Sequence, residues 1–155
     1  MAKVLEGKLQ DKIDELENLA EEKLEENNFD EMLKLMDKAW GLYPEPKTNC
    51  SEAYNTAKHG YLLAKDIVKD FELAKKWLNR MIEDNNINHS FDGDIEFNIG
   101  MYKFDTGALE EAYKMFCEAV RQSGKNHYRY FEDEDAKYLV FYKKQKKLKD
   151  KKHIL

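Results

Sequence analysis

Gly100, Ala112, Phe116 and Ala119, spread over the segment FNIGMYKFDTGALEEAYKMFCEAV, constrain this chain more than any other feature. Their spacing describes two helices folded back on each other. Gly100 lets a neighbouring helix come close, and Ala112 fits the crossing point on the second helix. Phe116 and Ala119 fall on one helical face and point at the same partner. Asp105-Thr106-Gly107 supplies the turn between the two. The predicted helices cover Asp94–Tyr102 and Leu109–Gln122.

The rest of the chain reads in the same way. Leu5, Leu9, Ile13, Leu16, Leu19 or Ala20, and Leu24 recur in steps of three and four, which predicts a first amphipathic helix ending at Asn27-Asn28. Asp30 is the expected cap of a second helix carrying Met32, Leu35, Met36, Ala39 and Trp40, stopped by Tyr43-Pro44-Glu45-Pro46. A third runs from Ser51, its expected cap, to Val68. A fourth covers Phe71–Glu83 with Ala74, Trp77, Leu78 and Met81 inward, and Asn85–Asn88 is expected to be a loop. Ser123-Gly124-Lys125-Asn126 closes the third pair. A last helix begins near Asp133 and carries Tyr138, Leu139, Phe141 and Tyr142 before the lysines.

Paired, these helices start near Ile13, Ala53 and Gly93, an interval of about forty residues. The first pair repeats the pattern loosely with Leu19-Ala20, Met32, Met36 and Ala39, and the second with His59-Gly60, Ala74, Leu78 and Met81. The pattern resembles the tetratricopeptide repeat, a helix-turn-helix unit of about 34 residues. The resemblance implies an all-α fold: three tetratricopeptide-like hairpins and a C-terminal capping helix, stacked as a right-handed α-solenoid. Residues 1–142 are then one helical-repeat domain and 143–155 a basic C-terminal tail. An irregular helical bundle is the alternative. Such repeats bind other proteins and rarely catalyse.

Charged residues make up 37% of the 155, with two prolines and seven glycines, a composition that favours helix over β-sandwich. MAKVLEGKLQDKI lacks the apolar run of a signal peptide. No stretch approaches the roughly 20 apolar residues of a membrane span. Cys50, read as an exposed loop thiol, and Cys117, read as a buried one, are too few for a disulfide framework, so a cytoplasmic location is expected. The charge is uneven. Residues 143–155 carry +6 of a total of −5, which leaves −11 on the body. Such a body repels nucleic acid and attracts basic protein surfaces.

Little in the sequence suggests a reaction centre. Glu15, Glu17, Glu21, Glu22, Glu25 and Glu26 lack Glu-x-x-His partners and an apolar pocket. Asp92-Gly93-Asp94 lacks the ligand string and the closing Glu of a calcium loop and reads as a loop and cap. His59, His89, His127 and His153 show no pair at metal-ligand spacing, and His59 beside Gly60 reads as a packing residue. The expectation is a non-enzymatic binder with no cofactor, metal or small-molecule substrate.

In a repeat of this type the first helix of each hairpin lines the inner groove. The candidate partner-binding residues are therefore Glu17, Glu21 and Glu25; Tyr54, Tyr61 and Lys65; and Asp94, Phe97, Met101 and Asp105. Aromatic and Met anchors rimmed by carboxylates suit a basic protein surface. The alternative for each is packing between hairpins. The lysine tail lacks interleaved aromatics, so neither nucleic acid nor membrane is the expected partner.

Two further stretches narrow the resemblance. Trp40-Gly41-Leu42-Tyr43-Pro44-Glu45-Pro46-Lys47 resembles a W-x-L-x-P-x-P-K element. Arg129 to Tyr142 resembles a closing R-x-F-x-x-E-D-x-K-Y-L-x-F-Y element. Over residues 13–142 the chain is similar to small bacterial tetratricopeptide-like proteins associated with polymorphic or contact-dependent toxins. The resemblance implies an immunity protein that neutralises a cognate toxin domain, a basic nuclease-type one, by stoichiometric occlusion. Glu132, Asp133, Glu134 and Asp135 are then either a helix N-terminal charge cluster or part of the docking site. The alternative function is a general adaptor or chaperone holding a basic or apolar peptide.

Overall fold

The computed structural model describes residues 7–47, 50–88, 92–124 and 128–154. Leu5, His89, His127, Lys125-Asn126 and the side chains of Ser51 and His153, all invoked above, lie outside the described positions. No strand occurs among the described residues, and none of their helices is long and apolar enough to cross a membrane. The chain divides into two compact units, Met1–His89 and Ser90–Leu155.

The first unit holds α1 (Gly7–Glu25), α2 (Phe29–Gly41), α3 (Ser51–Leu62), a π-helical turn (Leu63–Val68) and α4 (Phe71–Asn88). α1 packs along α2 and α3 along α4, while α2 also touches α3. Ile13 from the α1 stripe is fully buried in a cluster with Ala39, Tyr43, Cys50 and Ala53. Cys50 is thus a core residue, not the exposed loop thiol expected of it. Asn27 reverses the chain with φ 58°, and Asn28, not Asp30, caps α2 by accepting from the Glu31 amide at 3.4 Å. Asp30 instead places its charge in the first turn, where the helix dipole favours it.

α3 does not run unbroken to Val68. It widens into the π-helical turn and stops at Lys69, whose φ of 59° is left-handed. Asp70 then caps α4 through Oδ1 on the amides of Glu72 and Leu73, at 3.0 and 3.2 Å. Ala74, Trp77, Leu78 and Met81 face inward as expected, but α4 continues through Asn85–Asn88, the expected loop.

Arg80 joins the two helix pairs. Its guanidinium lies 4.1 Å from the Trp40 ring centre and 4.4 Å from that of Trp77, and donates to Asp37 Oδ1 on α2 at 2.7 Å. Burial pushes the Asp37 carboxyl up. Bonds from Lys76 and Arg80 outweigh it and hold the carboxyl below its usual value.

The second unit holds α5 (Asp94–Asp105), α6 (Leu109–Gln122), the four-residue α7 (Arg129–Glu132) and α8 (Ala136–Ile154). α5 and α6 pack along each other, and Gly107 turns between them with φ 89°. Ala112, Phe116 and Ala119 are buried, and a Cβ on Gly100 would meet the Phe116 ring at 2.7 Å. Gly60 on α3 stands in the same relation to Trp77 on α4, forty residues earlier. Phe97, Phe116, Phe131 and Tyr138 form one aromatic core. The lysine-rich stretch from 143 is not a separate tail: α8 continues through it to Ile154.

Candidate functional site

Unit one carries a shallow hollow of about 290 Å³ between α1 and α3. Gln10, Asp14 and Glu17 line it from α1, Glu52, Asn55, Thr56 and His59 from α3, and Tyr43 from the connection before α3. The helical period sets this arrangement. Gln10, Asp14 and Glu17 rise on one face of α1, and Glu52, Asn55, Thr56 and His59 on one face of α3. Ile13 and Ala53, on adjoining faces, go into the core beneath.

Tyr43 anchors the hollow. Its buried hydroxyl donates to the Glu52 carbonyl at 3.2 Å and shares a 2.8 Å bond with Thr56 Oγ1. Burial pushes the phenol up to about 12, partly offset by Thr56 and reinforced by the negative Glu17 and Glu52. It therefore stays neutral at physiological pH.

His59 lies between two carboxylates of α1. Its Nδ1 is 3.6 Å from Glu17 and its Nε2 3.2 Å from Glu21. The Glu17 contact is the largest influence and raises the imidazole above its ordinary value; burial opposes it, and the charges of Glu17 and Glu21 add to the rise. The histidine read as a packing residue is thus an ion-pair partner that clips α3 to α1. Asp14, Glu17 and Glu52 leave the hollow acidic, with His59, cationic when protonated, the one basic group in its lining. The charge of this lining is complementary to a cationic group.

The other candidate residues separate by burial. Glu25 is exposed and Tyr54 half-buried. Tyr61 is wholly buried in unit one, and Phe97 and Met101 are wholly buried in unit two, so all three build cores and present no surface to a partner. Lys65 is a buried member of the π-helical turn and pairs with Asp66 at 2.6 Å. Asp94 begins α5, its amide held by Asp92 Oδ1 at 3.1 Å. The Asp105 side chain is covered, accepting from the Tyr138 hydroxyl at 2.8 Å with the Lys137 ammonium 3.3 Å away.

Of the acidic run, Glu132 and Asp133 are exposed and Glu134 is half-buried. Asp135 caps α8 by accepting from the Lys137 amide at 2.9 Å. Among the described residues no group of His, Cys, Asp and Glu side chains is placed to hold a metal ion. No protein family, curated protein or solved structure matched this chain on comparison.

Sequence reasoning named Glu17 and Glu21 but missed Asp14, Glu52 and Asn55, which share the hollow. Tyr43 was read as part of a helix stop. Its hydroxyl is what closes the hollow's wall, a role that depends on Thr56, thirteen residues away.

Proposed function

We propose that the chain is a non-enzymatic protein-binding module whose acidic α1–α3 face takes a basic protein partner. One observation carries the reading. Asp14, Glu17 and Glu52 converge on a hollow whose one basic lining group is the partly exposed His59, while Glu21 and Glu25 extend the negative surface along α1. A field of that sign speeds encounter with a basic surface and fixes its orientation.

The tetratricopeptide-like reading of the helix pairs belongs to the same proposal. It is supported by the Gly60–Trp77 and Gly100–Phe116 contacts, each a glycine on the first helix of a pair under a large ring on the second. The specific form proposed is a cytoplasmic immunity protein that occludes a basic, nuclease-type toxin domain. It draws on the resemblance of the W-x-L-x-P-x-P-K and closing elements.

The test is co-purification of the tagged full chain from its native host, with mass spectrometry of whatever is held one to one. A single basic toxin-like domain is expected. Glu21→Lys with Glu25→Lys should weaken its binding at least tenfold at low salt, chiefly through the on-rate. A spread of unrelated clients would move the reading to an adaptor for basic or apolar peptides. Binding indifferent to both substitutions would overturn the acidic face itself.

A further inference from the structure

We infer that the outer face of α8 docks on the outer face of α1 of a second copy of this chain. On α8, Tyr138 and Tyr142 turn inward. Lys143, Lys144, Lys147 and Lys151 are exposed; the last three fall within an arc of about 60° on the opposite side, while the Lys143 ammonium lies over the Tyr128 ring, 5.3 Å from its centre. Among the described residues no carboxylate pairs with these four, whereas Lys149, nearer the packed side, reaches Glu110 at 3.4 Å. Like charges at i,i+4 repel, so the arc is suited to meeting an anionic surface. Val140, 64% exposed, and Leu148, 46% exposed, lie along it.

α1 presents the complement. Asp11, Glu15 and Glu22 are exposed on one stripe, unpaired among the described residues, with Leu19 beside them at 37% exposure. The eight residues from Lys144 to Lys151 span about 10 Å, and the twelve from Asp11 to Glu22 about 16 Å, so the basic stripe fits within the length of the acidic one. The aliphatic residues on both faces favour a protein surface over a bare phosphate backbone. Each copy offers one stripe of each kind, so α8 of one copy pairs with α1 of another. Exposed ion pairs are individually weak and are screened by salt, so the association is weak and strongest at low ionic strength. It does not depend on the partner proposed above, although it would compete with one bound along α1.

Sedimentation velocity of the full chain tests this. The expected result is a concentration-dependent mass above the monomer at low salt, collapsing to the monomer at high salt. K144E/K147E/K151E and D11K/E15K/E22K should each be monomeric at low salt with an unchanged helical spectrum, and mixing them should restore association. K34E/K38E, which reverses exposed charges on α2, should associate like the parent chain. A monomer at every salt concentration would overturn the inference. So would association that ignores the α1 and α8 changes, or one that needs added nucleic acid.

Discussion

Gly60 lies so close to Trp77 that a Cβ built on it would meet indole Cδ2 at 2.4 Å. The indole cannot move away easily: it is almost wholly buried, with the Arg80 guanidinium 4.4 Å from its ring centre. Gly60→Ala gains about 1 kcal/mol of helix propensity, but overpacking a rigid ring costs about 1–3 kcal/mol. The clash wins, and a lower urea midpoint is expected. Gly41, with nothing within 4 Å of its would-be Cβ, is the control and should tolerate Ala. Equal stability of Gly60→Ala and the parent would contradict the packing.

Phe116 holds the second unit in a comparable way. Its buried ring lies 5.5 Å from Phe97 and 5.3 Å from Phe131, over Gly100. Phe116→Ala removes the shared neighbour and should cost about 3–5 kcal/mol. Thermal melts should show the loss together with a weakened near-ultraviolet aromatic signal. A loss below 1 kcal/mol would mean that the site collapses onto the cavity.

The sequence exposed what depends on period and missed what depends on distance. The α5–α6 pair was legible because Gly100, Ala112, Phe116 and Ala119 are close in the chain and all serve one contact. α7 was not, since four residues are too few to show a period. The π-helical turn was read as plain helix because the apolar positions near Leu63 carry no mark of a widened hydrogen-bond ladder. α8 was expected to end near its lysines, yet Gln145 and Lys149 continue its packed side, a role polar residues do not announce. For the site, periodicity assigned Tyr61, Phe97 and Met101 to a face without saying whether that face met a partner or its own core. Glu17 and Glu21 were visible as charges; the His59 that sits between them was not, because it arrives from another helix.

Asp84 sets a pH dependence for unit one. Its carboxyl is pushed up to about 7, by burial first and by Glu83 next, against a pull from Lys47. The unfolded carboxyl titrates near 3.8. Because the folded value is the higher, the neutral form favours folding, and that contribution is lost as pH rises from about 4 through 7. Asp84→Asn keeps a neutral group of the same shape. It should be near neutral at pH 4 and stabilising by about 2–4 kcal/mol at pH 8. Urea titrations at both pH values decide it; a mutant–parent difference that does not grow with pH would contradict the assignment.

His59 loses stabilisation over a higher window. Its folded value is raised above 6.5, chiefly by Glu17, so the protonated imidazole between Glu17 and Glu21 stabilises the fold fully below that pH. The contribution fades as pH climbs through the raised value. His59→Gln should therefore cost about 0.5–1 kcal/mol at pH 6, the usual scale for a partly exposed ion pair, and nothing at pH 9. Measuring it in an Asp84→Asn background removes the other titration, which runs in the same direction at lower pH. Parallel stability curves for the two proteins would rule the histidine out as the titrating group. The same substitution frees both carboxylates of their resident cation. If the acidic face takes a basic partner, His59→Gln should bind it more tightly at pH 6 and equally at pH 9, as read by isothermal titration. Weaker binding at pH 6 would mean that the imidazolium itself contacts the partner.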